Sequence, residues 1–139
     1  MNLLEMCDEE TAFVPLETTA EQAIRTMLDR RVGAVAVVDE NKRVAGIFTE
    51  RDVLRRLSLS QRDPGSTPVR EVMTTPVEMA TRSTTPSEAL ATMVERHYRH
   101  LPIVDDDGRL LGMLSVRNVL QAKIDALTRQ LDEARSLPR

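Results

Sequence analysis

The sequence predicts an α+β fold made of two tandem copies of one β-α-β-β-α unit. Three observations predict it. The chain repeats itself without a gap, each copy carries one helical apolar period followed by two short apolar runs, and the turns between those runs are too short for anything but an antiparallel return. Shifted by 66 positions, residues 18–54 lie on residues 84–120 with 13 identities in 37 positions. Chance gives about two or three, at ~6–7% identity per position. The matched pairs include Thr18/Thr84, Ala23/Ala89, Met27/Met93, Asp39/Asp105, Gly46/Gly112 and Arg51/Arg117. A unit of roughly 60 residues is marginal alone, which predicts that the copies bury faces against each other.

The elements follow in order. A short strand is expected near Phe13-Val14, and its counterpart near Met79-Ala80. Thr19 then precedes Ala20, Ala23, Ile24, Met27 and Leu28, which share one helical face. Thr19 with Gln22 is a capping-box signal; Thr85 with Glu88 repeats it, and Pro86 takes the favoured first helical position. Ala34–Val38 and Leu101–Val104 read as buried strands. Asp39-Glu40-Asn41-Lys42 and Asp105-Asp106-Asp107-Gly108 are turns. Second strands run from about Val44 to Phe48 and from Leu110 to Leu114, and second helices begin after Thr49 and Ser115. The organisation is a first unit at 1–57, a linker at 58–69 marked by Pro64-Gly65 and Pro68, a second unit at 70–122 and a helical extension at 123–139. Along that extension Val116, Leu120, Ile124, Leu127 and Leu131 form a stripe, which serves either to pack on the chain's own body or to form a dimer. Two heptads are too few for an isolated coiled coil.

Composition narrows the function classes. The 139 residues are 41% hydrophobic and 29% charged, with a net charge of −3. That balance argues against dependence on nucleic acid or an anionic membrane. With aromatics at 2% and no Trp, base-stacking platforms are not expected. One cysteine, Cys7, excludes an internal disulfide and a multi-cysteine metal cluster, so a reducing, cytoplasmic setting is expected. No apolar run has the length of a membrane span, and MNLLEMCDEE lacks a basic n-region.

The segments that carry chemistry are Gly46-Ile47-Phe48-Thr49-Glu50-Arg51-Asp52 and Gly112-Met113-Leu114-Ser115-Val116-Arg117-Asn118. Each runs strand, hydroxyl, two residues, acid or amide, helix. Helix capping accounts for these residues. The same geometry suits a nucleotide. A helix N-terminus offers unpaired N–H groups to a phosphate, and an ionised Asp accepts from both hydroxyls of a ribose. The two readings are compatible.

The duplicated unit, the run Leu101-Pro102-Ile103-Val104-Asp105 with its counterpart Ala36-Val37-Val38-Asp39, and Gly-x-x-Thr/Ser-x-x-Asp/Asn together resemble the cystathionine-β-synthase (CBS) domain family, over roughly residues 8–122. The resemblance implies a pseudo-twofold CBS pair, the Bateman module, that binds an adenosyl ligand such as AMP, ADP, ATP, NAD or S-adenosylmethionine between its domains. It also implies a regulatory module, commonly a homodimer, acting on a partner that the sequence does not name. By the same resemblance Thr49 and Asp52 share a cleft with Thr74, Met79, Tyr98, Arg99 and His100, and Arg51 at the same helix start adds positive charge. Ser115 and Asn118 share one with Phe13, Val32, Gly33 and Ala34. The second cleft is expected to be weak, because Asn118 replaces the carboxylate and Gly33-Ala34 replaces a basic pair.

Other candidates read as structure. His97 and His100 lack further ligands for a metal. Asp105-Asp106-Asp107-Gly108 lacks the later ligands of a calcium loop. Cys7 has no nucleophile partners. No catalytic residue, metal or required cofactor is expected, and two CBS units leave no room for a catalytic domain. The alternative function is a ligand-independent interaction or dimerisation module whose motifs are only caps.

Overall fold

The computed structural model describes residues 2–8 and 10–136. Each copy has the predicted helix and hairpin. In the first, β1 (Phe13–Pro15) leads to α2 (Ala20–Arg30), β2 (Ala34–Val38), β3 (Val44–Thr49) and α3 (Glu50–Asp52), which runs on as a π-helical stretch, Val53–Ser58. A single-turn helix α1 (Leu3–Met6) precedes them. In the second copy a 3-10 turn (Val69–Glu71) precedes α4 (Pro86–Arg96), β4 (His100–Val104), β5 (Leu110–Ser115) and α5 (Val116–Ser136).

The caps are the ones the sequence signals. Thr19 Oγ1 accepts from the Gln22 N–H at 3.2 Å and Thr85 Oγ1 from the Glu88 N–H at 3.1 Å. Both helices end on a left-handed residue, Arg31 or His97, which are equivalent under the 66-residue offset. The turns are built by their first aspartate. Asp39 Oδ1 accepts from the N–H groups of Asn41 and Arg43, and Asp105 Oδ1 from those of Asp107 and Arg109. Those backbone bonds hold the Asp105 carboxyl below its ordinary pKa. Gly108 has φ +83°, where a side chain is strained.

β1 pairs parallel with β2, and β2 antiparallel with β3; β4 pairs antiparallel with β5. Each hairpin slips by one residue at an equivalent place, Val37/Val38 and Ile103/Val104. The strand expected at Met79-Ala80 is reduced to a single parallel bridge from Ala80 to Ile103.

The copies meet at their hairpins. The Val44 N–H donates to the Gly108 carbonyl at 3.0 Å and the Leu110 N–H to the Lys42 carbonyl at 2.9 Å. The offset exchanges these two bonds, and Arg43 faces its own equivalent, Arg109. The pseudo-twofold axis passes through this contact, with Ala36, Val38 and Leu110 buried beside it.

The two cores are filled across the copies. Val69, Val72 and Met73 sit in the core of the first copy, and Leu3 in that of the second with Leu4, Met6 and Cys7 against it. Leu3/Val69, Met6/Val72 and Cys7/Met73 obey the 66-residue offset, so the repeat begins well before residue 18. Residues 3–7, counted with the first unit by sequence, therefore pack in the second. Met73 and the Thr74 carbonyl press on Gly46, where an added Cβ would lie 2.7 and 2.8 Å from them. Burial against Gly112 and the second copy, helped by Asp8, raises the Cys7 thiol pKa to about 11, so it is protonated at neutral pH.

Leu3 is 1% exposed. Leu3→Ala is expected to lower stability by about 2–4 kcal/mol in urea denaturation, the ordinary cost of emptying a core site. A loss within about 0.5 kcal/mol, as for a surface change, contradicts the exchange of segments.

Candidate functional site

β3 and the helix after it place the first motif. Thr49 caps that helix reciprocally: its Oγ1 accepts from the Asp52 N–H at 3.2 Å, and its own N–H donates to Asp52 Oδ2 at 3.0 Å. Asp52 is only 5% exposed. Its Oδ2 also accepts from Thr49 Oγ1 at 3.2 Å, while Oδ1 accepts from Thr74 Oγ1 at 2.9 Å and lies 3.5 Å from Arg56 Nε. Thr74 lies on the exchanged segment, which runs beside β3 through paired backbone bonds between Ile47 and Thr74. Arg56 also donates to the Met73 carbonyl at 2.9 Å. Capping, the exchanged segment and the buried carboxylate thus form one network.

This network opens into a cleft of about 520 Å³ between the copies. Its first wall is Gly33, Ile47, Thr49–Asp52 and Leu54–Arg56; Thr74 and Val77 form the floor; Arg96–His100 form the opposite wall. The cleft brings together Thr49, Arg51, Asp52, Thr74, Tyr98, Arg99 and His100 as expected from sequence. Met79 is not among its lining residues and is 43% exposed. A Cβ on Gly33 would lie 3.4 Å from both the Glu50 carboxyl and His100 Cε1, so the two walls touch there. Burial holds the His100 pKa below its ordinary value; the nearby Glu50 carboxylate partly offsets this and Arg99 adds to it.

The second motif is built alike but sits in different company. Ser115 Oγ accepts from the Asn118 N–H at 3.0 Å, and Asn118 Oδ1 accepts from the Ser115 N–H and Oγ at 2.9 and 2.8 Å. Asn118 Nδ2 donates to Asp8 Oδ1 at 3.4 Å. Asp8 is the offset equivalent of Thr74, so the pair is inverted: the first copy has acid on the helix and donor on the segment, the second the reverse. Ser115 lines a more open groove with Arg99, His100, Arg117 and Leu120. The sequence grouped Ser115 with Phe13, Val32, Gly33 and Ala34, and none of these lines that groove. Gly33 lines the first cleft, Ala34 is buried within β2, and the Phe13 ring lies 5.1 Å from the Lys42 ammonium.

The CBS domain model matches residues 5–59 and again residues 69–125. The chain belongs to the CBS domain family. Its two CBS domains are 38% identical over 112 residues to a 17.7 kDa protein of Acidianus ambivalens, covering 81% of this chain and 66% of that protein. The chain spans between about a quarter and two thirds of the length of the first curated relatives it matches. A CBS-domain containing protein of Agrobacterium tumefaciens has the same fold at a TM-score of 0.76, with 28% identity, over 87% of this chain and 94% of that one. A CBS domain protein from Pyrobaculum aerophilum complexed with AMP matches at 0.78 with 22% identity, over 85% of this chain and 89% of that one. No helix of the described residues is long and apolar enough to cross a membrane.

Sequence reasoning missed several lining residues of this CBS pair. Arg55 and Arg56 lie four residues after Arg51 and Asp52, so the period of the helix already put them on the motif's face. Arg96 and Glu50 had no comparable signal.

The lowered His100 pKa has a direct consequence. The unfolded chain takes up this proton at higher pH than the folded one, so His100 opposes folding as pH falls below 6.5, its ordinary value. His100→Gln is expected to flatten the loss of melting temperature on acidification; parallel curves for variant and parent contradict this.

Proposed function

We propose that the cleft at Asp52 binds an adenosyl nucleotide, of the class AMP, ADP, ATP, NAD or S-adenosylmethionine, and that the CBS pair signals this to a partner protein. The observation that carries the reading is a buried carboxylate on one copy facing a wall supplied by the other. A ligand held by both walls favours one arrangement of the two copies, and a partner that reads this arrangement is coupled to the ligand. Support comes from the neighbours of like fold complexed with AMP, at 23% and 22% identity.

A second reading, a ligand-independent interaction module, is favoured by one observation. The Asp52 carboxylate already has four neighbours, the Thr49 N–H and hydroxyl, the Thr74 hydroxyl and Arg56. A ribose diol therefore has to displace Thr74 or Arg56 from Oδ1. Arg56 is the one that can leave at little cost, because it keeps the Met73 carbonyl, whereas the Thr74 hydroxyl has no second partner among the described residues.

Calorimetry with an adenylate panel separates the two readings. Asp52→Asn keeps a capping acceptor and loses the charge. It is expected to weaken binding about tenfold or more, since a hydrogen bond to a charged group is worth about 1.5–3 kcal/mol. Asn118→Ala is expected to leave the affinity unchanged. Equal losses from both changes refute the assignment to one cleft, and an absence of heat with every adenylate favours the second reading.

The homodimer belongs to the same proposal. Leu120, Ile124, Leu127 and Leu131 are all about half exposed or more, so the stripe on α5 is not spent on the chain's own core. A second copy pairing along this face would cover it. Ile124→Asp with Leu127→Asp is expected to shift the sedimenting species to monomer; an unchanged dimer, or a monomeric parent, places the stripe outside any self-association.

A further inference from the structure

We infer that Arg56 is an internal competitor for the sugar end of the first cleft. It holds the Asp52 carboxylate when no ligand is bound and has to swing off Oδ1 before a diol can take its place. This rests on reading the cleft as an adenosyl site and adds the residue that sets how much an intact ribose is worth there. A buried carboxylate without a counter-charge is costly. The three groups that donate to Asp52, the Thr49 N–H and hydroxyl and the Thr74 hydroxyl, are all neutral. Among the described residues its one ion-pair partner is Arg56, with Nε 3.5 Å from Oδ1. Arg51 and Arg55 line the same cleft without pairing with Asp52, and the Glu50 carboxylate lies beside Gly33 and His100. The Arg56 side chain is 50% exposed and that of Asp52 7%. The cation can therefore turn toward water while the carboxylate stays. At 3.5 Å its hold on Oδ1 is too long for a good hydrogen bond, so an arriving hydroxyl replaces a long contact with a short one. Arg56 meanwhile keeps its bond to the Met73 carbonyl at 2.9 Å.

The repeat supplies a second, independent observation. Under the 66-residue offset Asp52 corresponds to Asn118 and Arg56 to Ala122. The second motif keeps the same cap, through Ser115 and Asn118, with no cation at the equivalent place. The fold of the unit therefore does not need Arg56. Carboxylate and cation stand together in the first copy, and both are missing from the same two places in the second. Arg56 thus belongs with the charge on Asp52 and not with the packing of the helix. A ligand's diol gains only the difference between its own contact with Oδ1 and the one that Arg56 gives up.

The test is calorimetry with AMP and with 2′,3′-dideoxy-AMP, which differ only in the diol. Any pull of Arg56 on the phosphate acts on both nucleotides and cancels in the ratio of their affinities. Arg56→Ala, and Arg56→Gln, which keeps a donor for the Met73 carbonyl, should each raise the preference for AMP over the dideoxy form by about two- to fivefold, the worth of a half-exposed ion pair. Arg56→Lys keeps the charge and should stay near the parent. A ratio unchanged or lowered in both charge-removing variants overturns the inference and leaves the adenosyl reading standing. Heat with AMP from these variants and none from the parent supports the inference in its strongest form. An absence of heat with either nucleotide, from parent and variants alike, overturns the adenosyl reading and the competitor with it.

Discussion

Neither sheet closes its own core. The hollow beside β3 is filled by Val69, Val72 and Met73, and the one beside β5 by Leu3 and its neighbours, each group belonging in sequence to the segment ahead of the other hairpin. This reciprocal filling makes two marginal units into one body. Separating the copies would expose both sets of apolar side chains at roughly 1.5–3 kcal/mol for each large one. It also places the floor of the cleft. The segment that fills the first core continues directly into Thr74, so packing of Met73 against Gly46 decides where the Thr74 hydroxyl meets Asp52.

Asp52 shows how little a cap and a ligand site differ. A carboxylate at the third helical position is stabilised by the helix N-terminus whatever lies beyond it. What sets this one apart is burial together with a second layer, Thr74 and Arg56, from elements the cap does not need. Four partners on two oxygens is saturation. The ligand reading therefore requires exchange of one partner, and the Oδ1 side is the one that can exchange, because Oδ2 is committed to Thr49 within the helix turn.

The sequence made most of this fold legible, and the misses share a cause. Helices and hairpins were readable because their signals are local: Thr19 and Thr85 as caps, Asp39 and Asp105 as turn builders, Gly46 and Gly112 in the second strands. The gapless 66-residue offset was readable because its matches were dense after residue 18. Upstream it continues through Leu3/Val69 and Met6/Val72, where only apolar character is kept and only Glu5/Glu71 is identical. No local pattern tells which core a short apolar segment enters, and so the exchange was missed. The first cleft was assembled nearly whole because the resemblance carried its residues across. At the second motif Phe13, Val32, Gly33 and Ala34, placed by the same resemblance, do not line the groove at Ser115, and Asp8, the side chain that meets Asn118, lies in the stretch where the offset keeps few identities.

That inverted pair bears on why duplication has left two unequal clefts. Moving the acid from the helix to the preceding segment keeps one acceptor and one donor in contact, so local stability is little disturbed. The surroundings change more. Asp52 stands near Arg51, Arg55 and Arg56, whereas around Asn118 Arg117 is kept but Gln121 and Ala122 replace Arg55 and Arg56. The two motifs thus share their caps and their fold, and differ in which segment carries the acid and in the charges around it.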